Sequence, residues 1–180
     1  MQRTLSLAFL LIALLAVGSL AAQEVKFPGM DASPADIATL RNDEGVIARV
    51  VYSRPQKKGR EVFGGIVPFE KVWRTGANEA TEVTFFQPVK FGDVEVEPGT
   101  YSLFTLPDPE QWTVMLNSEL NQWGAYQADM DKTVARTAGY VSEMEEELEA
   151  FSIAFKEVEG GYHMVMAWDR TMVEVPVMPQ

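Results

Sequence analysis

The 180-residue sequence contains no cysteine. That excludes disulfides, thiol nucleophiles, cysteine metal sites and the lipidated cysteine of an exported lipoprotein. Histidine is almost as scarce, and His163 is the only one. A zinc site needs three or four N/S ligands, or two His plus a carboxylate, so a lone imidazole does not supply one. A Ser-His-Asp triad would have to use His163, and no Gly-x-Ser-x-Gly elbow offers a nucleophile. His163 therefore reads as a structural residue. Cations are few: 15 Lys and Arg face 26 Asp and Glu, for a formal charge of −11. Such a chain is a poor ligand for nucleic acid or anionic lipid. Gly64-Gly65 and Gly160-Gly161 lack phosphate-cradle or dinucleotide spacing and read as turns, so no cofactor is implied. The longest apolar run, Leu5 to Val17, is too short for a comfortable membrane span.

What is present begins with export. Met1 to Ala22 reads as a cleavable signal peptide, with Arg3 in the n-region, Leu5 to Val17 as the apolar core and Ser19-Leu20-Ala21-Ala22 as the cleavage site. The expected location is periplasmic or extracellular, with no stable membrane insertion after cleavage. The remainder is long enough for one domain with a sizeable core. At 47% hydrophobic and 11% aromatic it is not a disordered chain.

Residues 23–45 read as an irregular N-terminal arm. Ser33-Pro34-Ala35-Asp36 carries helix-start chemistry, so a short helix over Ile37 to Arg41 is the alternative. From residue 46 onward, period-2 patterns recur between turn signals. They cover Val46–Ser53, Thr81–Gln87, Val89–Gly92, Val94–Val96, Tyr101–Leu106, Trp112–Asn117, Arg136–Val141, Phe151–Phe155, Tyr162–Trp168 and Met172–Val177. Asp129 to Ala135 reads as a helical turn or an edge. The acidic run Ser142 to Glu149 admits a brief helix. No βαβ rhythm, internal repeat or linker is visible. The fold class is all-β: a single antiparallel β-sandwich or jelly-roll-like domain over 46–180.

The densest chemistry lies in Lys71 to Thr84, KVWRTGANEATEVT. Trp73, Arg74, Thr75, Gly76, Asn78 and Glu79 set directional hydrogen-bonding groups beside one large aromatic, more than a simple turn requires. Together with YSRPQKKGR before it, and GTYSLFT and QWGAY after it, this stretch resembles a family of secreted bacterial proteins known only as domain of unknown function 2911. The resemblance covers roughly Pro28 to Val177. It implies an exported, β-rich, single-domain protein in which a strand begins near Leu148 and the acidic run before it is a loop, and it carries no activity or catalytic residues.

The expected function is a non-catalytic module binding an anionic or polyhydroxylated small ligand, a glycan among them. Its site would combine Arg54, Lys57 and Arg60 of the basic loop with Trp73, Arg74, Asn78 and Glu79 of the central motif, and with Asn121, Trp123 and Tyr126 of a polar loop. Flat indole faces beside planar donors and acceptors suit a sugar. Each group also has a structural reading. The basic residues can answer acidic neighbours at the surface. Trp73 and Trp123 can plug the ends of the fold while Arg74, Asn78 and Glu79 satisfy loop backbone. Trp112 and Trp168 lie in alternating strands and read as core. A rival from another class is a metal-independent hydrolase pairing Glu79 with Asp129 or Asp131. The D-M-D spacing of the latter two lacks the Gly and later Glu of an EF-hand loop, so no metal is expected. A third reading is a structural envelope protein with no ligand site.

Overall fold

Alternation dictates the strands. In the computed structural model, which describes residues 25–180, nearly every period-2 run becomes a β-strand with its apolar positions turned inward. The signal-peptide reading of Met1–Ala22 lies outside the described residues. The chain from Asp31 to Gln180 forms one compact unit.

The strands, in chain order, are β1 (Ala35–Asn42), β2 (Gly45–Ser53), β3 (Thr81–Phe85), β4 (Val89–Phe91), β5 (Val94–Val96), β6 (Gly99–Leu106), β7 (Gln111–Asn117), β8 (Thr133–Val158) and β9 (Gly161–Pro179). They form one nine-stranded antiparallel sheet in the order β1-β2-β3-β6-β7-β8-β9-β4-β5. The all-β, antiparallel expectation holds. The layers are parts of a single sheet bent over its own core, rather than two separate sheets, and the sheet does not close into a barrel.

Residues 35–42, read as part of an irregular arm or as a short helix over Ile37 to Arg41, form β1 instead. The Asn42 side chain accepts the N–H groups of Glu44 and Gly45 and closes a tight turn, so the preceding residues pair with β2. Pairing against a neighbouring strand overrides a helix-start signal too short to nucleate alone. The only helical turn among the described residues is the 3-10 segment Met130–Lys132. Asp129 caps it, accepting the N–H of Asp131 at 3.0 Å.

The acidic run expected as a loop lies inside β8. Glu143 pairs with Thr171 and Leu148 with Asp169, so the residues between them bulge out of register. Opposite the bulge, Asp169 adopts φ 56° and β9 bends. Bulged strands bend and twist more strongly. Here the bend carries the far part of the β8–β9 hairpin back over the sheet. Phe151, Ile153, Met164, Met166 and Trp168 from that hairpin join Ile47, Val50, Val83 and Leu103 in one buried cluster.

Aromatic rings form the middle of the core. Phe63, Trp73, Trp112, Phe151 and Trp168 lie with centroids between 4.9 and 6.3 Å apart, mostly edge to face. Edge-to-face contact suits the ring quadrupoles, at about 0.5–1.5 kcal/mol per pair beyond area burial. Trp112 and Trp168 are core, as the alternation predicts.

Candidate functional site

The central motif begins as core and ends at the surface. Trp73 is only 8% exposed, and its indole N–H donates to the carbonyl of Gly76 at 3.1 Å. Its backbone pairs with Thr105 in both directions, at 2.7 and 2.9 Å, which ties the motif to β6. Trp73 is therefore an anchor beneath the loop rather than a ligand platform. Thr75 is fully buried with φ 55°, uncommon for a β-branched residue. The Thr81 hydroxyl donates to the Thr75 carbonyl at 2.6 Å, and the Thr75 hydroxyl reaches Thr105 Oγ1 at 3.2 Å. These bonds hold the strained backbone in place.

Beyond Thr75 the motif runs beside the polar loop of residues 118–126. Ala80 N–H donates to the Gln122 carbonyl at 2.8 Å, and Gly124 N–H donates to the Asn78 carbonyl at 3.2 Å. Glu79 and Trp123 face each other in an isolated antiparallel bridge. Asn78 and Asn121 both adopt φ 58°. Asn tolerates this left-handed region better than most residues. The Asn78 amide donates to Asp31 Oδ1 at 3.0 Å. The Asp31 carboxyl is held below its ordinary range first by the Ser33 N–H and then by Asn78.

Between this ribbon and the outer face of β1–β3 lies a groove of about 220 Å³. Ala35, Val51 and Ala80 give it apolar walls, and Glu79, Glu82 and Asn121 supply its polar groups. Glu82 Oε1 accepts the Asn121 N–H at 2.8 Å and fixes one rim. Glu79 is exposed and, among the described residues, forms no ion pair. Trp123, bridged through its backbone to Glu79, and Tyr126 are 67% and 86% exposed, and neither lines the groove itself. Asp129 is occupied in capping its 3-10 turn, and neither Asp129 nor Asp131 lines the groove with Glu79.

The basic loop is engaged elsewhere. Arg54 donates to the Phe151 carbonyl at 3.1 Å, to Ser152 Oγ at 2.7 Å and to Asp36 Oδ2 at 3.2 Å. Lys57 Nζ lies 3.0 Å from Glu147 and 2.8 Å from Asp169. Its amine is held above the usual lysine range, chiefly by the hydrogen bond to Asp169. Arg60 donates to the carbonyls of Lys57 and Gln56. Lys57 thus answers the acidic bulge of β8, Arg54 pairs with Asp36 of β1, and Arg60 braces its own loop. Of the expected site residues, Arg74, Asn78, Glu79, Asn121, Trp123 and Tyr126 gather at the ribbon, and Arg54, Lys57 and Arg60 do not join them.

Sequence reasoning missed Glu82, Val51 and Ala35. The signal for Glu82 was the alternation of β3, where inward Thr81, Val83 and Phe85 leave Glu82 on the opposite face. The register that sets Val51 opposite Glu82 is a long-range pairing, and local pattern does not reveal it.

A sequence model of the family described as "Protein of unknown function (DUF2911)" matches residues 33–177. No curated protein and no solved structure matches the chain.

Proposed function

The chain belongs to the DUF2911 family of proteins of unknown function, and from that premise we propose that it is a non-catalytic module binding a polyhydroxylated small ligand, a glycan in the first instance. The observation that carries this reading is Trp123. It is 67% exposed in a loop whose backbone is pinned to Asn78, Glu79 and Ala80 beside a concave groove. A large aromatic held rigid in water is an apolar platform on which a sugar ring can stack. Glu79 and Asn121 supply the adjacent acceptor and amide that would orient hydroxyl groups. A rigid β scaffold presenting such loops is a common arrangement for binding.

The groove favours this reading over a hydrolase, because Glu79 finds neither Asp129 nor Asp131 across it. Export by the signal peptide would place the module in the periplasm or outside the cell, where it would meet such ligands.

The test is a glycan panel titrated against the mature protein, read by Trp fluorescence and by the indole N–H resonance of Trp123. Trp123→Ala and Glu79→Ala are each expected to weaken binding about tenfold or more, with an unchanged melting temperature. A panel that leaves the Trp123 resonance unmoved throughout rejects the reading in favour of a structural role.

A further inference from the structure

The charges of the groove are all of one sign. Of the described residues that line it, Glu79 and Glu82 are the only charged ones. They reach it from two elements. Glu82 stands on the outer face of β3, with Val51 of β2 opposite, and Glu79 belongs to the ribbon bridged to Trp123. Among the described residues neither carboxylate forms an ion pair.

The cations of the region are committed elsewhere. Arg49, on the same face of β2 as Val51, lies over the Phe86 ring, 5.7 Å from its centre. Arg54 is paired with Asp36, and Lys57 with Glu147 and Asp169. An anionic ligand in the groove would therefore meet two carboxylates and no counter-charge, whereas a cation would meet both. At a formal charge of −11, the whole chain also raises the local concentration of cations.

The cation that fits is an ammonium rather than a metal ion. Among the described residues no three His, Asp or Glu side chains come together as a metal site, and Ca²⁺ takes about six to eight oxygen ligands. An ammonium brings three N–H donors and no acceptor, which suits two carboxylates beside the Asn121 amide. The walls, Ala35, Val51 and Ala80, are apolar and suit the C–H face of a ring next to that ammonium. The volume of about 220 Å³ is below the roughly 300–1,000 Å³ of sites for drug-sized ligands, so the groove suits a single ring.

We propose that the groove selects an amino sugar, a glucosamine-type ring whose ammonium is held by Glu79 and Glu82. This deepens the groove reading above and rests on it. Trp123 lies two residues beyond Asn121, no more than about 7 Å along the backbone, so a ligand of two or three rings has the length to reach both.

The experiment titrates the mature protein with a β-1,4-linked glucosamine trimer and with cellotriose, at about pH 5.5, where an amino-sugar amine is protonated. The two trimers share linkage and ring shape and differ in carrying an ammonium or a hydroxyl at C2. The backbone N–H resonance of Asn121, bonded to Glu82 Oε1, reports the carboxylate, and the Trp123 indole N–H reports stacking. The amino trimer is expected to bind about tenfold more tightly than cellotriose and to shift the Asn121 signal. Glu79→Gln and Glu82→Gln keep an acceptor and remove the charge. Each should narrow that preference, and the double variant should abolish it. If a variant fails to fold, salt answers in the parent protein: the preference should shrink as ionic strength rises to about 1 M. Equal binding of the two trimers overturns the amino-sugar assignment while the groove reading stands. If neither trimer moves Asn121 or Trp123, the assignment falls, and the glycan panel decides the groove reading separately. A lysine tripeptide that shifts Asn121 as strongly as the amino trimer would make the groove a general ammonium site and overturn the assignment.

Discussion

The hydroxyl of Tyr52 accepts the backbone N–H of Ile153 at 3.0 Å, across 101 positions of sequence. It also donates towards Asp36 Oδ2 at 3.2 Å. One phenol thus links β1, β2 and the returning arm of β8. Tyr52→Phe keeps the ring and its edge contact with Phe151 but strands the Ile153 amide. The expected loss is about 1–3 kcal/mol, the cost of one unsatisfied buried donor. Chemical denaturation monitored by circular dichroism measures it.

The same hydroxyl sets an alkaline limit. Burial pushes the Tyr52 pKa above its ordinary value of 10.0. A raised pKa in the folded state means that the unfolded chain loses this proton first. The stabilising contribution is therefore complete below about pH 10 and disappears as pH climbs through the folded-state value. In Tyr52→Phe the melting temperature should fall less steeply above pH 10 than in the parent. Parallel slopes would show that this group does not set the limit.

At the acid end the controlling contact is His163 Nδ1 with Glu174 Oε2, 2.5 Å apart, with Lys156 Nζ on the other carboxylate oxygen at 3.0 Å. Both neighbours hold the Glu174 carboxyl below its ordinary 4.5, His163 more strongly. A depressed pKa gives the opposite sign. Its stabilisation is present above about pH 4.5 and is lost as pH falls through the folded-state value. Glu174→Gln should be less stable than the parent at neutral pH and converge on it in acid. Melting temperatures across pH 3 to 7 would show the two curves closing, and a constant gap would disprove the linkage.

Gly92 turns between β4 and β5 at φ 59°, and a Cβ there would lie 1.9 Å from Thr137 Oγ1. Gly92→Ala therefore combines left-handed strain with a steric clash, and should cost about 2–4 kcal/mol. Adding Thr137→Gly removes the clash and leaves the strain, so the double variant should recover part of the loss. Thermal melts of the single and double variants form the measurement. A double variant no better than Gly92→Ala would place the defect elsewhere.

The strands were legible because their information is local. A residue's inward or outward turn repeats every second position, as Thr81 to Phe85 and Val173 to Val177 show. The β1 segment was misread because Ser33-Pro34-Ala35-Asp36 carries helix-start chemistry, whereas its pairing with β2 is decided by the turn at Asn42 and Gly45. The acidic run of β8 reads as a loop because the family resemblance places the start of the next strand near Leu148. Its real determinant is the bend at Asp169 and the Lys57 and Arg170 contacts that staple the bulge. At the candidate site, the motif revealed which residues matter but not their direction. Trp73 and Trp123 have similar polar neighbours in sequence, yet one is sealed by Phe63 and Phe151 and the other stands in water.

That contrast makes the two indoles opposite in every assay. Trp73→Ala empties the centre of the aromatic core and frees the Gly76 carbonyl, so it should cost about 3–5 kcal/mol. Trp123→Phe removes no core contact and should change stability by less than about 0.5 kcal/mol. Fluorescence separates them independently. Trp73, Trp112 and Trp168 are 8%, 2% and 1% exposed, so acrylamide should reach Trp123 far more readily than the other three. Trp123→Phe should shift the emission maximum of the folded protein to the blue and abolish most of its quenching. If quenching persists in that variant, a second indole is exposed in solution. The buried anchor assigned to Trp73, and the rigid ribbon that depends on it, would then be wrong.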